Sequence, residues 1–423
     1  MDNPKYHGTR LAHRLGLWLA HVPGGEALRS LTENLVLAIR HRQIRRQISS
    51  FVTPWDNQRL TEAEFDQARR ICRDIQALIL GRERYIEENR LDPEFCIPGA
   101  QWKGNWKKSE LYRGTAALLR EEYDVINNLR LFSQVFTGYS LVEMKPAHGI
   151  TPPDHVPPDL AGRLSEASQR IDEWVDHYET LARYLPEFLH ISQPNRFGET
   201  GWTFAGSIVN HDTYVYLERI ALLHASGLLE RLGAGERGQT PLILEIGGGF
   251  GGLAYHLKRR VPQARYIILD LPESLLFSAI YLSTLFPDTH EQNLIATTPD
   301  LITRYLDRPG FTFVPNFFCH HFQDSGIRVN LAINTLSMSE MLASQVTAYC
   351  SLIRKCLAPD GVFFEQNQDN SGIGSLNTEL YFAGVFPFHR KISLPVHIVN
   401  GSPNLWFSRE IPADLQPIPL ARK

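Results

Sequence analysis

The chain reads as an α/β protein, a mainly parallel sheet of about seven strands preceded by a mostly helical region, on three observations. From Pro241 onward, short apolar runs alternate with helical patterns. A glycine cluster follows the first of those runs directly. Before Pro241, apolar residues recur mostly at helical spacing. Strands that alternate with helices make βαβ units, and these build parallel sheets.

The front elements follow in order. Residues 10 to about 50 read as helices with a basic face, in which Leu35, Leu37, Ile39 and Ile44 interleave with Arg40, Arg42, Arg45 and Arg46. A solvated helix face explains this, with a membrane surface or an acidic partner as the alternative. Thr61 to Glu64 reads as a capping box that opens a helix through Phe65, Ala68 and Ile71. Ser109 to Phe136 has apolar residues at three-to-four spacing, and five prolines between Lys145 and Asp159 then mark a connection. Helix returns from Leu160 to Tyr184. Gln193 to Trp202 is a polar loop, and Asn210-His211-Asp212 caps a helix from Tyr214 to Leu232 that stops at Gly233, Gly235 and Gly238. Residues 1–158 are thus a helical N-terminal region, 159–240 a helical linker and acceptor-site cap, and 241–423 the α/β domain.

The expected strands are Leu242–Ile246, Tyr266–Leu269, Phe311–Val314, Val329–Asn334, Gly361–Gln366, Ile392–Val396 and Leu405–Ser408. With 423 residues the chain buries a core without staples. A net charge of -3 gives no reason to expect nucleic acid. Five scattered cysteines, Cys72, Cys96, Cys319, Cys350 and Cys356, offer neither a disulfide framework nor zinc-site spacing, so no metal is expected. No apolar leader or membrane-length apolar stretch is visible, so a cytoplasmic location without membrane insertion is the expectation.

The chemistry centres on Glu245 to Gly252. A buried strand, a glycine-rich turn and a helix N-terminus form a nucleotide-binding corner. Gly247, Gly249 and Gly252 satisfy the dinucleotide spacing G-x-G-x-x-G, while Glu245, Gly247, Gly249 and Gly251 satisfy E-x-G-x-G-x-G, which resembles the first motif of Rossmann-like methyltransferases. Asp270 ends the next strand, 19 residues after Gly251, where a carboxylate accepts hydrogen bonds from ribose hydroxyls. Leu357-Ala358-Pro359-Asp360-Gly361 resembles the turn before the fifth strand of class I methyltransferases. Little chain remains for the separate substrate domain that a dehydrogenase needs.

The strings EIGGGFGGLA, ILDLPE, NTLSMSEM and NLWFSRE together resemble the sugar O-methyltransferase family, over roughly residues 190–410. The resemblance implies a class I methyltransferase fold, an S-adenosylmethionine cofactor and a hydroxyl acceptor on a sugar. It places Gly247, Gly249 and Gly251 against the methionine part of the cofactor. Glu245 then orients the loop or the amino group, Asp270 holds the ribose, and Leu271 and Pro272 shape the adenine side. Asn330 stands where many relatives carry an acid.

Sites in open α/β sheets lie outside the carboxyl ends of the strands. That position selects Asn316, His320 and His321 after the third strand, Asn334, Ser337, Ser339 and Glu340 after the fourth, and Glu365, Gln366 and Asn367 after the fifth. Asn316 and Asn334 join the cofactor set. His321 is the first candidate for a general base and His211 the second, and Glu340 is a further catalytic candidate. Each also has a purely structural explanation, such as helix capping for His211. The partners expected are a small-molecule acceptor, sugar-containing by the resemblance, with a homodimer allowed for. N-methylation, NAD(P)-dependent oxidoreduction and cofactor binding without chemistry are the alternatives.

Overall fold

A computed structural model describes residues 35, 39, 42–97, 110–142, 144–146, 155–168, 173–234, 240–287, 294–304, 309–322, 325–373, 376–396, 398 and 401–421. Most of the basic N-terminal segment, Leu37 and Arg40 included, lies outside the described residues, as does much of the proline-rich connection. Leu35, Ile39 and residues 42–45 are helical.

In the front half, strand β1 (Ile48–Val52) precedes the long helix α1 (Glu62–Glu88). The expected capping box forms: Thr61 Oγ1 accepts the Glu64 N–H at 3.3 Å, and the Glu64 carboxylate accepts the Thr61 N–H at 2.7 Å. Helix α1 buries Ala68, Ile71, Cys72, Ile75, Leu78, Arg82 and Ile86, one face at helical spacing. The 109–136 segment is broken into Glu110–Leu118, Tyr123–Asn127 and Leu129–Phe132, and Glu121 takes a left-handed φ of 56° between the first two. Helix Leu160–Ser168 is followed by α2 (Glu173–Ala182). Then come β2 (Gly201–Phe204) and β3 (Ser207–Val209), joined at Ala205 and Gly206, both with positive φ, as the two-residue hairpin turn requires. Strands β1, β2 and β3 form an antiparallel sheet that the helical reading of this half did not include. Strand β1 pairs with β2 far along the chain, a contact without local signal. Helix α3 (His211–Ala225) opens at Asn210, whose Oδ1 accepts the Thr213 N–H at 3.0 Å. It ends sooner than Gly233, because Gly227 (φ 80°) turns the chain where an added Cβ would meet the Gln416 carbonyl oxygen at 2.5 Å.

The back half runs β4 (Leu242–Ile246), α4 (Gly252–Arg260), β5 (Arg265–Asp270), α5 (Pro272–Leu285), β6 (Leu294–Ile295), β7 (Gly310–Pro315), β8 (Val329–Thr335), α6 (Ala343–Cys356), β9 (Leu357–Asn367), β10 (Phe388–Lys391) and β11 (Ser402–Phe407). Strands β4 and β7 are wholly buried, as strands covered on both faces are. The sheet order is β10-β11-β9-β8-β4-β5-β7-β6. Every pair from β9 to β6 is parallel, while β11 runs antiparallel to both its neighbours. Setting aside the two-residue edge strand β6, this is order 3-2-1-4-5 with the last strand reversed beside the fifth. A dinucleotide fold places a sixth strand there, in order 3-2-1-4-5-6. The sheet is thus the Rossmann-like class I methyltransferase fold expected.

The sheet departs from expectation in several places: β6 is unexpected, β9 begins at Leu357 instead of Gly361, and β11 is Ser402–Phe407 instead of Leu405–Ser408. The penultimate strand is Phe388–Lys391, and Ile392–Val396 is irregular. An edge strand with polar, largely exposed residues carries no apolar run to announce it. Gly361 lies at a register shift between β8 and β9, where an added Cβ would stand 2.5 Å from the Val329 carbonyl oxygen. Helix α5 is buried from Pro272 to Thr284: it packs on β7 and also against α1. At that contact Arg82 donates two hydrogen bonds, 3.0 and 2.9 Å, to the buried Glu273 carboxylate.

Candidate active site

The site forms where the strand order reverses, between β4 and β8. The chain leaves β4 through Gly247 (φ 75°), Gly249 (φ 55°) and Gly251 (φ 90°), conformations that favour glycine. Space demands it too. A Cβ on Gly247 would stand 2.2 Å from Ser337 Oγ, and one on Gly252 would meet the Tyr216 ring at 2.4 Å. The Gly247 N–H donates to the Leu269 carbonyl at 3.0 Å, and the Gly251 N–H to the Gly248 carbonyl at 2.9 Å.

Asp270 holds this loop from the next strand. Its Oδ2 accepts the Gly249 N–H at 3.1 Å, and its Oδ1 accepts the Leu271 N–H at 2.7 Å. Burial pushes its pKa up to about 7, against the pull of those backbone bonds. Glu245 is likewise raised to about 7 by burial, and its Oε2 accepts the Tyr266 hydroxyl at 2.7 Å. Asn334, fully buried at the end of β8, closes the corner. Its Nδ2 donates to the Ile246 carbonyl at 2.8 Å and to Ser337 Oγ at 2.6 Å, and its Oδ1 accepts the Met338 N–H at 3.3 Å. Leu336 carries a strained φ of 66° in this turn, which the sequence did not announce.

The other expected residues fall in different surroundings. Asn316 follows β7 directly and donates through Nδ2 to the Phe95 carbonyl at 3.1 Å. His321 Nε2 lies 2.8 Å from the Tyr85 hydroxyl on α1, with His320 Nε2 at 3.4 Å from the same oxygen. Burial lowers the pKa of both histidines. Glu340 sits in the turn Ser337–Glu340, where burial raises its pKa.

His211 is the first residue of α3, and its Nδ1 donates to Asp212 Oδ1 at 2.9 Å. Its ring stacks on Tyr139 at 4.6 Å and meets Trp174 edge-on at 4.5 Å. Asp212 is buried, which alone would raise its pKa, but the His211 hydrogen bond and Arg130 hold it below the usual carboxylate range. The fully buried Arg130 joins Asp212, Glu199 (2.8 Å) and Ser133 (2.6 Å). Its guanidinium also lies over the Phe250 ring of the glycine loop at 3.8 Å. Phe136 packs against Gly249. Sequence reasoning missed Arg130, Glu199 and Phe136. The one signal was a single arginine in the apolar run Leu129–Phe132, since a buried charge needs partners.

No family model and no curated protein matches the chain. Solved structures resemble it at low identity. Human methyltransferase-like protein 13 in complex with SAH is 15% identical over 47% of this chain and 82% of that one, with a TM-score of 0.28. Precorrin-6y C5,15-methyltransferase from Geobacter metallireducens is 13% identical, covering 43% and 88%, with a TM-score of 0.25. The SAM-bound amino pentose methyltransferase CalS10 from Micromonospora echinaspora is 16% identical, covering 35% and 51%, with a TM-score of 0.23. Likenesses of this size do not bear on the reaction. Among the described residues no helix is long and apolar enough to cross a membrane, and no cluster of His, Cys, Asp and Glu suits a metal.

Proposed function

We propose that the chain is an S-adenosylmethionine-dependent methyltransferase that acts on an oxygen of a small polar metabolite, a sugar-containing one by the sequence resemblance. One observation carries the reading: a three-glycine loop at the reversal point of a sheet whose last strand is antiparallel, with a carboxylate held against the loop from the next strand. The residues fit the cofactor. The glycines take the left-handed backbone angles of a tight turn at the strand end, and Asp270 keeps lone pairs beyond its bonds to the Gly249 and Leu271 N–H groups for ribose hydroxyls. The bound cofactor supplies a methyl group on a sulfonium.

The protein's share is placement and proton removal. A hydroxyl acceptor needs a base within hydrogen-bond reach. His211 has the arrangement for it: Nδ1–H is donated to Asp212, so Nε2 is the proton-accepting atom. The Arg130 cluster holds Asp212 ionised and links it to Phe250 of the loop. His321 stands two strands from β4 with Nε2 on the Tyr85 hydroxyl, so His211 is the better base. Glu340 remains a candidate to bind acceptor hydroxyls.

Calorimetry tests the reading. S-adenosylhomocysteine binds and NAD(H) does not, and Asp270→Ala weakens the binding by tenfold or more. Binding of NAD(H) in place of S-adenosylhomocysteine would overturn it.

A further inference from the structure

The glycine loop carries one large side chain. Phe250 stands between Gly249 and Gly251, both with left-handed φ, in a run from Gly247 to Gly252 that is otherwise all glycine. Backbone freedom accounts for the glycines and leaves the phenylalanine without a reason. Its ring is 1% exposed and meets two other rings edge-on, Tyr281 of α5 at 5.3 Å and Tyr216 of α3 at 6.1 Å. Tyr216 in turn lies against Gly252. The ring is therefore held from two helices.

What the ring holds is Arg130, whose guanidinium centre lies 3.8 Å from the ring centroid. A guanidinium donates hydrogen bonds only in its own plane. Arg130 spends them on Glu199 through Nε (2.8 Å), on Ser133 through Nη1 (2.6 Å) and on Asp212 through Nη2. In-plane bonds resist sliding well and tipping poorly. A ring over the flat face supplies the missing restraint. The Glu199 end is anchored already, since Glu199 Oε1 accepts Asn210 Nδ2 and the Glu199 N–H donates to Asn57 Oδ1, both at 2.8 Å.

The Asp212 end leads to the base. Asp212 takes Arg130 on Oδ2 and the His211 Nδ1–H on Oδ1. Tyr139 stacks on the His211 ring with 11° between the planes. Stacking sets the plane of the imidazole and leaves open which nitrogen carries the proton. The bond to Asp212 decides that, and it is as well aimed as Arg130 makes it.

We propose that Phe250 is a positioning residue for the base: its ring seats Arg130, and through Arg130 and Asp212 it keeps His211 in the tautomer whose Nε2 accepts a proton. The proposal rests on the methyltransferase reading, in which His211 is that base. One loop then serves both reactants, its glycines the donor and its phenylalanine the group that deprotonates the acceptor.

The test is nitrogen NMR of the full chain labelled at histidine, in mildly alkaline buffer, with the His211 signals assigned by their loss in His211→Ala. Wild type shows His211 as the Nδ1–H tautomer. Phe250→Leu keeps apolar bulk and removes the aromatic face, and raises the Nε2–H tautomer about tenfold, the ratio that one desolvated cation–π contact carries. Arg130→Lys loses the flat face from the other side and shifts the ratio the same way, which gives a reading where Phe250→Leu fails to fold. A wild-type ratio in the variants that fold overturns the proposal and leaves Phe250 as packing alone, however far the thermal midpoint falls. Calorimetry with S-adenosylhomocysteine on wild type separates the two failures. No binding, with a tautomer that depends on Phe250, overturns the methyltransferase reading and leaves the positioning chain. Binding, with a tautomer indifferent to Phe250, overturns the positioning chain alone.

Discussion

Gly247 is the residue with least freedom at the site. Alanine there must hold a φ of 75° and displace the Ser337 hydroxyl that Asn334 uses. Left-handed backbone costs a non-glycine residue about 1–2 kcal/mol. Gly247→Ala is therefore expected to lower the thermal midpoint and to weaken S-adenosylhomocysteine by tenfold or more, read by calorimetry. His211→Ala is expected to lower kcat by about 10²–10⁴-fold with the donor KM near wild type. His321→Ala should keep turnover and lose only stability. Equal losses in both histidine variants would return the base to an open question. The glycines and Asp270 were legible because backbone conformation and strand-end position leave marks in sequence. The His211–Asp212 pair was legible as residues but not as a dyad, because Arg130 and Tyr139, which hold it, come from far earlier in the chain.

At the scale of elements, the Arg130 cluster joins helix α3, the segment before β2 and the glycine loop. Removing one partner of a buried ion pair strands the other charges, at about 3–5 kcal/mol. Arg130→Met should cost that much in urea denaturation, because Glu199 and Asp212 are both buried against it. Arg130→Lys keeps the charge but loses the fork, and falls in between. Loss of less than about 1 kcal/mol in Arg130→Met would show that solvent reaches the cluster. The parallel strands were legible because strands buried on both faces read as apolar runs. The three-stranded front sheet and β10 were not: one depends on a partner distant in sequence, the other on an exposed edge with polar residues.

Across the whole molecule, the raised carboxyls set a pH dependence. Glu245 and Asp270 both rise to about 7 from ordinary values of 4.5 and 3.8. The folded chain then holds these protons more tightly than the unfolded chain. Their contribution favours folding at low pH and is lost as pH rises through about 7. Glu245→Gln should flatten the fall in the ligand-free thermal midpoint between about pH 5 and 7, and an unchanged slope would place the ionisation elsewhere. Cofactor binding favours the ionised carboxylates, so near neutrality it should release protons, seen as a binding enthalpy that differs between phosphate and Tris buffers. Helix α5 carries the last consequence. It has no solvent face, since the sheet takes one side and α1 the other, with Arg82 neutralising Glu273 between them. The back half made alone would expose that helix as an apolar strip with an orphaned carboxylate at its head. The front and back halves therefore share one packed core, and neither side of that contact is built to meet water.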